Sequence, residues 1–184
     1  MCKSKKCLTI FFLTLLTLKS NFFLARNAYA DFTPVHEYEL KAVFLYNLGH
    51  FISYPPESIN SGYFSICVLG KDPFQGSLEL ATSGKQLHGQ PVKLRYLKRL
   101  EESLDCQIVF ISQSEEPILS NILPILEKYP ILTVSDIPYF LSEGGMIRFA
   151  IQDSKVRLQI HQTNLNKTGL NASAKLFALA DIFR

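Results

Sequence analysis

Three short, almost uninterrupted apolar runs set the main constraint on this chain. They are Tyr63–Gly70, Gln107–Ser112 and Ile131–Ser135, each bounded by turn residues. Runs of this length with no polar alternation are the mark of strands covered on both faces, as in a parallel sheet. Helical patterns separate them. Phe74–Ser83 reads as a helix with Leu78 and Leu80–Ala81 inward. Pro117–Tyr129 reads as an amphipathic one with Ile118/Leu119, Ile122/Leu123 and Leu126 inward, in which Pro124 implies a kink or a late start. Val92–Leu97 alternates and fits an edge strand, and Leu100–Leu104 fits a short helical turn. The order strand, helix, strand, strand, helix, strand predicts an α/β fold: a largely parallel sheet with flanking helices.

The ending departs from that order. Met146–Gln152 and Lys155–Gln162 both alternate and are joined by Asp153-Ser154, which predicts a C-terminal antiparallel β-hairpin. Phe149, Ile151, Val156, Leu158 and Ile160 are expected inward, with Arg148, Arg157, Gln159 and His161 outward. A short helix over 163–168 and a last helix capped by Ser173 follow. The last helix has a stripe of Leu176, Phe177, Leu179/Ala180 and Phe183. Before the first strand, Glu39–Pro55 is the longest helical pattern, with Leu40, Phe44, Leu48 and Phe51/Ile52 on one expected buried face. Thr33 is placed to cap its start, and Gly49 and Pro55-Pro56 to end it.

Residues 1–30 read as a signal peptide. Lysines in Met1–Lys6 precede the apolar run Cys7–Leu18, and Ala28-Tyr29-Ala30 offers cleavage after Ala30. The rest, 31–184, suits one domain. The leader holds five basic residues (Lys3, Lys5, Lys6, Lys19, Arg26) and no acidic one. Cleavage takes 19 basic against 16 acidic residues to 14 against 16. A net charge of −2 gives no footprint for nucleic acid.

Two cysteines remain after cleavage, Cys67 and Cys106. In an exported chain this favours one disulfide, which would close a loop of about 40 residues and contribute about 4 kcal/mol. Two buried thiols or a redox pair are the alternatives, the latter disfavoured because the spacing is not C-x-x-C. No catalytic constellation stands out. His36, His50, His88 and His161 lack metal-ligand spacing, so no metal or cofactor is expected. Gly70-Lys71 and Gly84-Lys85 fail the phosphate-loop pattern, and no G-x-S-x-G elbow is present. Asp136, at a strand end, suits a helix N-cap better than a catalytic role.

Several strings in order resemble the YfiR-like family of bacterial periplasmic proteins. They are Leu40–Asn47, Phe51–Pro55, Ile66–Phe74, Cys106 before a strand, Leu132–Asp136, Gly144–Ile147 and Ser173–Leu176. The resemblance implies a non-enzymatic periplasmic repressor that binds the periplasmic part of a membrane diguanylate cyclase or a similar sensor protein. Such a protein lowers cyclic di-GMP and biofilm formation. It also implies a homodimer and an oxidised Cys67–Cys106 pair. The second cysteine pair of some relatives is missing from Leu141–Gln162. By the same resemblance Ile147, Gln159 and Leu165 are the partner-binding candidates, with Gln159 where a glutamate is common. Tyr46, His50 and Tyr54 are candidates for a dimer face. A periplasmic small-molecule sensor using a sheet-edge crevice is the alternative function, and a hydrolase with a dispersed site is the third.

Overall fold

The computed structural model describes residues 34–59 and 62–183. The signal-peptide reading and the Thr33 cap lie outside them. Helix α1 (Pro34–Phe51) leads through the two-residue β1 (Ile52–Ser53) into β2 (Phe64–Leu69). Then come α2 (Ser77–Thr82), β3 (Gln86–Leu87), β4 (Gln90–Leu97), β5 (Ile108–Ile111), α3 (Leu119–Leu126) and β6 (Leu132–Ser135). The hairpin β7 (Ile147–Gln152) and β8 (Lys155–His161) precedes α4 (Gln162–Lys167), β9 (Asn171–Ala172), α5 (Ala174–Phe177) and β10 (Ala180–Phe183).

Eight strands form one sheet in the order β10-β8-β7-β6-β5-β2-β4-β3, and β1 pairs with β9 in a small second sheet. Strands β4, β2, β5, β6 and β7 run parallel, while β8 is antiparallel to β7. Every residue of β2, β5 and β6 is buried, as their unbroken apolar pattern requires. One face carries Cys67, Leu69, Val109 and Ile111 against Leu119, Ile122, Leu123 and Leu126 of α3. The opposite face is aromatic. Phe110 stacks on Phe149 at 6.4 Å, Phe149 on Phe44 of α1 at 6.4 Å, and Phe74 meets Phe110 edge-on at 4.9 Å. The hairpin turn holds Asp153 and Ser154 at φ 49° and 55°, the left-handed pair that a two-residue turn between twisted strands demands.

Five local expectations are corrected. The inward face of α1 is Lys41, Ala42, Leu45, Leu48 and Gly49, whereas Leu40 is 38% exposed. The helix is rotated toward its smaller residues, and Gly49 lies within it as a contact point instead of ending it. In α2 only Leu78 points inward among the apolar residues, and Leu80 is 82% exposed, since six residues make fewer than two turns and bury one side only. A 3₁₀ segment, Gln113–Ile118, precedes α3, so Ile118 is exposed and the helix starts late. The short turn of helix that the pattern Asp136–Leu141 predicts is replaced by successive turns across 138–144. Ile151 is exposed near the hairpin tip, beyond the reach of α1.

The largest correction concerns the C-terminus. The expected last helix is a single turn, capped by Ser173 Oγ accepting from Leu176 N, and only Leu176 is buried. Ala180–Phe183 then pairs parallel to β8. The outer edge of β8 would otherwise leave a row of backbone donors and acceptors without partners, and an alternating segment beside it satisfies them better than a polar-poor isolated helix could.

Candidate functional site

At the hairpin, Arg148 lies opposite Gln159 and Ile147 opposite Ile160. Side chains alternate, so the two pairs point to opposite faces. Ile147 is 0% exposed and belongs to the aromatic face with Phe149. Leu165 in α4 is also 0% exposed. Neither offers side-chain atoms to a partner, so these two are corrected to supporting positions. Gln159 does reach the surface. It is half-buried and its Oε1 accepts from Arg148 Nη1 at 2.9 Å. Asp181 of β10 pairs beside it, and the His161 ring lies 5.5 Å from Phe183. With exposed Arg157 these residues make a polar, mixed-charge strip across β7, β8 and β10.

The base of this strip is fixed by Gly144-Gly145. Gly144 takes φ 110°, and a Cβ on Gly145 would strike the buried Phe140 ring. Asn164 Nδ2 donates to Gly145 O at 3.1 Å, and His161 Nδ1 accepts from Asn164 N at 3.4 Å. The glycine pair, the end of β8 and α4 therefore form one connected unit.

The three aromatic candidates on α1 and just after it separate. His50 is exposed and contacts the half-buried Tyr46, with 3.1 Å between His50 Nε2 and the Tyr46 hydroxyl. The Tyr46 hydroxyl also donates to Gln86 O at 3.3 Å. Tyr54 is buried against Phe64, and its hydroxyl donates to Gln107 O at 3.1 Å. Burial pushes its phenol well above the ordinary range. Tyr54 thus leaves the proposed dimer face, and Tyr46 and His50 remain.

A buried charge cluster joins α1 to the end of β6. Lys41, 2% exposed, places Nζ 2.6 Å from Asp136 Oδ2 and also pairs with Glu37 one turn earlier. The Tyr38 hydroxyl donates to the same Asp136 oxygen at 2.7 Å, and the Lys41 ammonium lies 4.3 Å from the Tyr38 ring centre. Burial first, then the hydrogen bond to Asp136, holds the Tyr38 phenol far above its usual range. Asp136 Oδ1 is buried with no hydrogen-bond partner among the described residues. Asp136 is neither a helix cap nor exposed. The sequence signal for this cluster was a lysine between two apolar residues, four after a glutamate, together with an aspartate ending a buried strand.

Cys67 and Cys106 form a disulfide with Cα atoms 6.2 Å apart, tying β2 to the segment entering β5. This agrees with the expected pairing.

A family model described as YfiR/HmsC-like matches residues 38–181. The chain belongs to this family. At family level, membership supports a periplasmic regulator of a diguanylate cyclase. Comparison with curated proteins finds no match. Among solved structures, this YfiR/HmsC-like chain is similar to a conserved domain protein from Vibrio cholerae O1 biovar El Tor, at 9% identity and a TM-score of 0.50. The likeness covers 65% of this chain and 54% of that one, so the match spans about half the length of its neighbour, and it speaks for the fold alone.

The strand order places a switch point of the YfiR/HmsC-like sheet between β2 and β5, where open α/β folds commonly bind ligands at the carboxyl ends of strands. Here the spot is filled. Gly70, at φ 93°, lies directly under the side chains of Ser114 and Glu115, and Lys71 N donates to Ser114 Oγ at 2.9 Å. Among the described residues no group of His, Cys, Asp and Glu could hold a metal ion, and no helix is long and apolar enough to cross a membrane.

Proposed function

We propose that the chain is an exported, non-enzymatic regulator that binds the periplasmic part of a membrane-bound diguanylate cyclase and inhibits it. Cyclic di-GMP and biofilm formation fall as a result. The observation that carries this reading is family membership across residues 38–181. The docking surface is the strip around Gln159, with Arg148, Arg157 and Asp181 beside it. Ile147 and Leu165 act beneath it, holding β7 and α4 in place. A homodimer forms through the exposed side of α1 at Tyr46 and His50. The filled switch point supports a protein partner over a metabolite at that crevice.

The test is capture. Exported protein immobilised and incubated with membranes of its host recovers a diguanylate cyclase, and the Gln159→Arg variant recovers far less. Deleting the gene raises cyclic di-GMP. Recovery of no cyclase, together with an unchanged nucleotide level, would overturn the reading. The dimer is checked by light scattering, where His50→Glu shifts mass from dimer to monomer.

A further inference from the structure

The opposite end of the sheet, at the amino ends of β2 and β5, holds an open cavity of about 520 Å³. That lies within the usual size range of small-molecule sites. It sits on the face that carries the disulfide, away from both the Gln159 strip and the filled switch point. Lys93 and Arg95 of β4 line it, two residues apart and so on the same side of the strand, beside Ser65 and Cys67 of β2.

These two cations lack a carboxylate partner. Among the described residues none of the ion pairs involves either of them. The hydrogen bond of the Arg95 guanidinium is a weak one, Nη1 to Cys106 Sγ at 3.8 Å. Lys93 Nζ stands 5.4 Å from the Tyr63 ring centre, at the mouth. Arg95 is half-buried, where an unneutralised guanidinium attracts an oxyanion more strongly than it does in open water. The floor is built. Gln107, 5% exposed, spends its amide on the backbone, accepting from Ser65 N and donating to Ser58 O, both at 2.7 Å. The cavity also has an acidic side, Glu57 and Asp105, neither within ion-pair distance of a basic group.

Two cations and two carboxylates that line one cavity without pairing suit a ligand that carries both charges. We infer that this cavity binds a small oxyanion with a cationic end, its oxyanion on the Arg95 fork and Lys93 and its ammonium toward Asp105 and Glu57. Phosphoethanolamine, as a soluble molecule or as a lipid headgroup, has this chemistry.

Titration calorimetry of the intact oxidised protein with phosphoethanolamine and with inorganic phosphate tests the assignment. Both bind, and phosphoethanolamine binds about tenfold more tightly, equivalent to about 1.4 kcal/mol. Lys93→Gln, at an exposed position that cannot unsettle the fold, and Arg95→Met each weaken both ligands about tenfold or more. Lys85→Gln, at an exposed position outside the cavity, leaves binding unchanged. Asp105→Asn erases the preference and leaves phosphate binding intact. Vesicles containing phosphatidylethanolamine separate the sources: co-sedimentation assigns a lipid headgroup, and binding of the soluble molecule alone assigns a free metabolite. Absence of binding by both soluble probes, or equal binding by wild type and Lys93→Gln, overturns the site. Equal affinity for the two probes overturns its zwitterionic character.

Discussion

The centre of the sheet and its C-terminal flank are built on opposite terms. Strands β2, β5 and β6 are buried along their whole length, with α3 on one face and the aromatic layer beneath α1 on the other. Strands β7 and β8 are covered on one face and leave a polar strip on the other, and β10 beyond them has Asp181, Ile182 and Phe183 all exposed. The centre also holds the strongest internal ties, the Cys67–Cys106 bond and the Lys41–Asp136 pair. The flank holds hydrogen bonds between groups that water also reaches. Stability is thus concentrated where a partner cannot touch it. The proposed recognition strip lies where substitution is cheaper.

That contrast can be broken by mutation. The largest effect is expected at Lys41→Met, which leaves Asp136 buried beside a phenol alone and lowers stability by about 3–5 kcal/mol. Lys41→Met with Asp136→Leu recovers most of the loss, because an apolar pair needs no compensation. A single variant within 1 kcal/mol of wild type in urea unfolding would show that the pair does not hold the centre. Removing the disulfide with Cys67→Ser and Cys106→Ser lowers stability by about 4 kcal/mol in the same assay. Retention of wild-type stability would place its role elsewhere.

Alkaline pH probes the centre more gently. Tyr38 and Tyr54 both have phenols raised by burial. The native state therefore keeps their protons where the unfolded chain, with an ordinary value of about 10, gives them up. Their contribution is complete below that value and declines as pH rises above it. The melting temperature falls above about pH 10, and Tyr38→Phe makes the fall shallower. A melting temperature flat across that range would refute this. At the flank, Gln159→Arg sets a like charge in place of the Arg148 acceptor, costs about 1 kcal/mol and leaves far less cyclase captured. The smallest effect is expected at Leu80→Gln, near zero, because that side chain already stands in solvent.

The legible parts of the fold were those fixed by local pattern. Three unbroken apolar runs gave the central strands, and Asp153-Ser154 between alternating segments gave the hairpin. Elements whose shape depends on distant neighbours were less legible. The rotation of α1 depends on Asp136, 95 residues away, which draws Lys41 inward. The conversion of the last helix into β10 depends on the open edge of β8, which local propensity does not report. The site followed the same rule. The outward direction of Gln159 was readable from strand parity, while its nomination for partner binding came from the family resemblance. The burial of Leu165 follows from α4 docking against Gly145 through Asn164, a contact that no periodicity in six residues could announce.

Gly49 carries a mechanical consequence. A Cβ there would lie 2.5 Å from Leu87 Cδ1, so the helix backbone rests directly on β3. Two turns earlier, about 12 Å along the axis, Lys41 is pinned to Asp136. A rod held at two such points can neither slide nor roll. Motion within this domain is therefore expected less in α1 than in the hairpin and the strand that borders it.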